Sequence, residues 1–259
     1  MKPVARMPVA RRFVGVPLLG LLPLLGLAQV ARPAETTEGV DFRVMNAFGP
    51  TANTNSGVLG GLAFRQLRTL KRESIPTFRY LSVELVNVRH PKERAYALNT
   101  GSRFIIGKQN YLFALRGQWG RERTLFRRAD RGGVQLDGVL AGGPTLGLLK
   151  PYYVEIVTRQ NPRQTQQVPY TPALENDPNV YIVGGGSLFN GFGQLRVVPG
   201  LNAKVGVAIE LDAFSRTSIG LETGFLVEAY AREIILIPEA QNRQVFTSGY
   251  LTLFFGTKR

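Results

Sequence analysis

Cysteine is absent from the 259 residues, histidine and tryptophan occur once each, and no apolar run reaches the length of a membrane-crossing helix. Without cysteine there is no disulfide framework, no thiolate-ligated metal, no thiol nucleophile and no lipidation site for a lipoprotein anchor. The longest apolar run, Val14 to Leu27, is shorter than the about 20 residues a spanning helix requires. It also carries Pro17 and Pro23, which are poor helix-interior residues. Preceded by Lys2, Arg6, Arg11 and Arg12 and followed by small residues, it reads as a secretory signal over residues 1–28. Cleavage is expected after Ala28, with Ala31 and Ala34 as alternatives, and 29–41 as a flexible N-terminal segment. The pair Arg11-Arg12 leaves a twin-arginine route open.

Loss of those basic residues lowers the formal charge from +14 to +10, because the first acidic residue is Glu35. A basic balance usually points to nucleic acid. An exported chain rarely meets it, and no basic helix or RNA-binding signature is present. Lipid phosphates fit the destination better.

What the mature sequence does have is period-two alternation, punctuated by Gly, Pro and Asn clusters. In Leu201 to Asp212 the odd positions are apolar, while Asn202, Lys204, Glu210 and Asp212 share the other face. Ser218 to Tyr230 repeats the pattern, with Ile219, Leu221, Phe225 and Val227 opposite Gly220, Glu222, Gly224 and Glu228. A soluble sandwich alternates too. Strands long enough for a tilted crossing, glycine on the polar face and a final strand at Val245 to Phe255 favour a transmembrane β-barrel. With Phe42 to Asn53, Gly57 to Arg68, Pro76 to Arg89, Gln109 to Gln118 and Gly133 to Gly147, the expectation is an all-β, eight-stranded antiparallel barrel over 42–259. Its inner turns would be Thr69 to Ile75, Trp119 to Gly132 and Phe214 to Thr217. The outer connections would be Thr54 to Ser56, His90 to Lys108, Leu148 to Gly200 and Ala231 to Gln244. Segment 148–200 is too long for a structureless loop. Lys150 to Val157 reads as extended, Asn161 to Asn179 as mobile, and Gly184 to Phe189 as a turn and short helix over the barrel mouth.

Three segments carry a family resemblance: Asn87 to Glu93, Gly143 to Tyr153 with its Lys-Pro-Tyr-Tyr, and Tyr250 to Gly256. Together they resemble outer-membrane β-barrel proteins of Bacteroidota. The resemblance implies a Gram-negative outer-membrane location and a barrel fold, with no activity to carry over. Many barrels close on an aromatic residue read by the insertion machinery. Here the sequence closes on Gly256-Thr257-Lys258-Arg259, so that signal is expected inside the strand Leu251, Leu253, Phe254 and Phe255.

An eight-stranded interior is only wide enough to be filled by side chains. Glu84, Arg116, Asp137, Lys204, Glu210, Asp212, Glu222 and Glu228 are therefore expected to pair there, since an unpaired buried ion costs several kcal/mol. Trp119, Tyr152 and Tyr153 are expected as interfacial anchors, the tyrosine pair also being open to a ligand. Arg121, Arg123, Arg127, Arg128 and Arg131 are expected in a solvated basic turn. His90 could serve an outer-leaflet lipid A hydrolase as base, but Ser102 and Ser187 lie in no nucleophile motif. Gly184-Gly185-Gly186 lacks the Gly-Lys-Ser/Thr ending of a phosphate loop. No cofactor or metal is expected. The expected partners are membrane lipid with lipopolysaccharide and the insertion machinery, and the role is structural or binding. A lipid hydrolase and a soluble periplasmic β-protein are the alternatives.

Overall fold

Alternating sequences must place their two faces in two different media, and the long strands of this chain do so by closing on themselves. The structure, a computed structural model, describes residues 42–71, 75–97, 101–126, 134–213 and 217–259, with only the backbone at 57–59, 71 and 211–213. The expected signal segment, 29–41 and the cleavage candidates Ala28, Ala31 and Ala34 lie outside the described residues, as do Arg127, Arg128 and Arg131.

The described strands are β1 (Val44–Asn53), β2 (Gly57–Lys71), β3 (Thr77–Val88), β4 (Ala95–Ala97), β5 (Arg103–Ile105), β6 (Asn110–Phe126), β7 (Gln135–Pro151), β8 (Tyr153–Thr158), β9 (Asn161–Pro169), β10 (Val180–Gly185), β11 (Arg196–Ala213), β12 (Thr217–Ile234) and β13 (Arg243–Lys258). A short helix α1 (Pro172–Glu175) and a 3-10 turn (Phe192–Gln194) complete them. Eight strands form a closed antiparallel barrel in the order β1-β13-β12-β11-β7-β6-β3-β2. First and last strands meet in register from Met45↔Lys258 to Asn53↔Tyr250. Arg43 N donates to Arg259 O at 2.8 Å and Arg259 N to Val44 O at 2.9 Å, which ties the seam where the first and last described residues lie. We call that end the terminal rim and the other the loop rim.

The expected strand count and order hold, but several strands are longer than the alternation suggested. β6 runs on to Phe126, so Trp119, Arg121 and Arg123 stand in a strand and not in a turn. Asn161 to Pro169, part of the segment Asn161 to Asn179 expected to be mobile, is a strand that pairs with β8. β8, β9 and β10 make a three-stranded sheet beyond the loop rim, and β4 and β5 a two-stranded one. The cap has its own core of Tyr152, Val154, Ile156 and Tyr170.

Which face is which follows from exposure. Outward positions carry large apolar side chains, including Phe48 at 67%, Leu201 at 68% and Phe225 at 72% exposed. Inward positions are covered, whether apolar or charged. Apolar groups crowd both ends of the bore: Met45, Leu67, Phe78 and Val139 toward the terminal rim, where Phe42 stacks on Phe78 at 5.4 Å, and Val88, Leu112, Ile234 and Leu236 toward the loop rim. A continuous apolar outer band of this kind is a liability in water.

Because the chain has no native cysteine, single cysteines report orientation cleanly. Leu201→Cys and Phe225→Cys are expected to react with an uncharged maleimide in the folded protein in detergent. Ala141→Cys and Ala208→Cys, at positions 5% and 3% exposed, should react only after unfolding. The reverse order would invert the barrel's two faces.

Candidate functional site

The bore is the feature on which most chemistry-bearing side chains converge. Arg116 lies on β6 and Glu84 on β3 in direct register, so their side chains enter the bore side by side. From the facing wall β12 contributes Glu228 and Glu222, and β11 contributes Lys204. Arg116 grips Glu228 with a two-pronged contact, Nε to Oε2 at 2.8 Å and Nη2 to Oε1 at 3.0 Å. Its Nη1 also reaches Glu84 Oε2 at 3.5 Å. Lys204 Nζ bridges Glu84 at 2.9 Å and Glu222 at 2.8 Å. Arg65 then links Glu222 at 3.2 Å to Glu122 at 3.5 Å.

The result is one continuous chain of alternating charge, from Glu228 through Arg116, Glu84, Lys204, Glu222 and Arg65 to Glu122. Every member is buried. Phenols complete it: Tyr250 Oη donates to Glu222 at 2.9 Å and Tyr80 Oη at 3.3 Å. The Lys204 ammonium sits 4.9 Å and 5.0 Å from the Tyr80 and Tyr250 ring centres, and the Arg65 guanidinium lies 4.2 Å from that of Phe254. Space for this packing depends on glycine. A Cβ at Gly206 would fall 2.4 Å from the Tyr250 phenol oxygen and 2.5 Å from the Thr223 carbonyl oxygen. A cavity of about 20 Å³ beside Arg65, Glu122 and Asp137 is room for about one water molecule.

Of the interior residues expected from sequence, Glu84, Arg116, Lys204, Glu222 and Glu228 come together in this chain. Asp137 is buried nearby, where both its oxygens accept from Gln135 Nε2 at 3.0–3.1 Å. Glu210 stands apart near the terminal rim, accepting from Lys258 and Ser218 at 2.5 Å each. The side chain of Asp212 lies outside the described residues. Sequence reasoning missed Arg65, Glu122, Tyr80 and Tyr250. The period-two rule could have found Arg65, since it shares its face with Ala63 and Leu67 and not with Arg68.

The remaining candidates separate. Trp119 faces outward and is 67% exposed. Tyr152 does not: it is buried in the cap core, its Oη accepts from Ile105 N at 3.1 Å, and its ring meets Tyr111 edge-on at 5.5 Å. Tyr153 is half-buried in the cap, where it pairs with Pro169 of β9. The Lys-Pro-Tyr-Tyr segment leads from the end of β7 into β8, whose pairing with β9 draws the tyrosines into the cap and off the outer surface. In β13, Leu251 and Phe255 face outward and Leu253 shares that face, whereas Phe254 points into the bore.

His90 closes a turn. Its Nδ1 accepts from Lys92 N at 3.1 Å, which leaves the proton on Nε2, 3.3 Å from Gln241 O. Ser187 Oγ instead accepts from Phe189 N, and neither Ser187 nor Ser102 has a contact with the imidazole. Next to it, Lys108 pairs with Glu93 at 2.6 Å in a buried contact that sequence reasoning did not single out. Burial holds the Lys108 ammonium below the ordinary lysine range, against the opposing pull of Glu93.

Removing one member of a buried pair leaves the other uncompensated. Arg116→Met is expected to destabilise the barrel by about 3–5 kcal/mol, and Arg116→Met with Glu228→Met by much less. Urea unfolding of both variants in detergent checks this. With Glu228→Met measured alongside, a double-variant loss equal to the sum of the two single losses would mean that the side chains are not coupled.

No family model matches the chain, and no curated protein matches it. Among solved structures it is similar to the crystal structure of Neisserial surface protein A (NspA), with 10% identity, a TM-score of 0.35, and coverage of 85% of this chain and 99% of that one.

Proposed function

We propose that this chain is an outer-membrane β-barrel of a Gram-negative bacterium with a structural or binding role, in which the strands anchor and the cap is presented. The observation that carries the reading is the reversal of the usual soluble arrangement: apolar side chains outside, an ion-paired network inside. Hydrocarbon is the medium that makes such an exterior favourable, and a closed ring leaves no unpaired strand edge in it. A soluble periplasmic protein of this exterior would expose its apolar band to water.

The bore is filled by the salt-bridge chain and closed at both ends by apolar groups, which argues for an anchor and against a conducting pore. The cap beyond the loop rim, held by Tyr170 N donating to Tyr152 O at 2.7 Å and Lys150 Nζ donating to Asn190 O at 2.6 Å, is the surface available to partners outside the cell. Outward Leu251 and Phe255 on the seam strand β13 are the face offered to the insertion machinery. Kinship with the Bacteroidota barrels is supported by where the resembling segments fall: Gly143 to Tyr153 forms the passage from β7 into the cap, and Tyr250 to Gly256 is the heart of β13.

Val205→Arg, near the middle of β11, separates lipid from water as the outer medium. In lipid vesicles it is expected to cost about 2–4 kcal/mol, whereas an exposed site in water would register within about 0.5 kcal/mol. Recovery of the wild-type chain in the soluble periplasmic fraction, without heat-modifiable gel migration, would sink the reading. Planar bilayers containing the purified protein are expected to show no steps of current, and sustained conductance would overturn the anchoring role.

A further inference from the structure

Three arginines stand in one cross-strand row on the outside of the barrel. Arg68 of β2 is in register with Arg79 of β3, and Arg79 with Arg121 of β6. Arg79 stands between buried Phe78 and Tyr80, Arg68 follows buried Leu67 and Arg121 precedes buried Glu122, so by alternation all three project outward, and Arg123 follows two residues nearer the terminal rim. Like charges placed directly opposite one another on a sheet destabilise it. Among the described residues no carboxylate forms an ion pair with these guanidinium groups, and the Arg79 Nε is covered without an acceptor. On β11 and β12, the outward positions toward the same rim are Val207, Ile209, Ile219 and Leu221. The charge is gathered on one wall.

Directly beside this row toward the loop rim lies an apolar groove of about 580 Å³, walled by Phe64, Leu81, Val83 and Trp119 and floored by Gly117 and Gly142. Register fixes the adjacency, since Leu81 pairs with Trp119 and Arg79 with Arg121 one outward position away. A polar anchor of several guanidinium forks next to an apolar trough matches a molecule with an anionic head and a long hydrocarbon chain. Arginine forks suit phosphate oxygens in particular.

We propose that this wall is a binding site for an anionic phospholipid of the leaflet at the terminal rim. Its phosphate is held by Arg68, Arg79 and Arg121, and one acyl chain lies along the groove past Trp119. The proposal rests on the membrane reading above. It explains why a row of like charges persists at a level of the wall where β11 and β12 are apolar: lipid supplies the counter-charge.

The test uses the full mature chain purified in mild detergent and offered an equimolar mixture of phosphatidylglycerol and phosphatidylcholine with identical acyl chains. Retained lipid is counted by native mass spectrometry. Wild type is expected to prefer phosphatidylglycerol, and the preference should fall about fivefold for each arginine removed in Arg79→Gln and Arg79→Gln with Arg121→Gln. Gly117→Leu, whose new Cβ would meet nothing closer than Pro144 Cγ at 3.7 Å, should lower retention of both lipids without changing their ratio. Heat-modifiable migration identical to wild type certifies that each variant is folded. Equal retention of the two lipids by wild type, or a preference unchanged in the double variant, overturns the site while leaving the barrel reading intact. Displacement of phosphatidylglycerol by lipid A at equal concentration would overturn the choice of phospholipid. Failure of wild type to float with vesicles would remove the membrane reading itself, and the site with it.

Discussion

The arrangement of this protein depends on the requirement that an ion removed from water keep an opposite charge within contact distance. A barrel that turns its apolar residues outward has no choice about where its polar residues go. Inside a bore this narrow the ions are largely cut off from water, so they find partners across the interior. The chain of contacts from Glu228 to Glu122 meets that demand by linking β12, β6, β3, β11 and β2 across the interior. Such pairs add little net stability compared with apolar packing, but they penalise any other register heavily. A strand slipped by one residue would turn its ions into the outer band and its aliphatic side chains into the bore.

The sequence made the ring legible and left its furnishing partly hidden. Alternation in Leu201 to Asp212 and Ser218 to Tyr230 names both faces residue by residue, which is why Lys204, Glu222 and Glu228 were identifiable as interior groups. It failed where a charged residue stands on the outward face. Arg121 and Arg123 interrupt the apolar pattern of β6 and read as a turn, although the strand continues to Phe126. Arg65 was lost for the related reason that it lies among Phe64, Gln66 and Arg68, where two arginines three residues apart face opposite sides. Counting parity from the neighbouring Ala63 and Leu67 resolves them.

The cap escaped for a different reason. β9 is exposed along almost its whole length, with Pro162, Arg163 and Gln164 among its residues, and nothing in that composition signals a strand. It pairs because β8 supplies an edge and because Tyr152 and Tyr170 provide a small core beneath. A local pattern carries no trace of a partner that long-range folding brings up, so Tyr152 looked like an anchor for lipid when it is a cornerstone of the cap.

The seam has a consequence for the order of events in folding. Met45 and Lys258 are partners separated by nearly the full described chain, so the ring cannot shut until the last strand is available. Until then β1 and β13 both present open edges, and the glutamates of the far wall await cations from strands not yet docked. Contacts this distant in sequence make for slow closure. The ring therefore forms as a whole or not at all, its last hydrogen bonds joining the first described strand to the last.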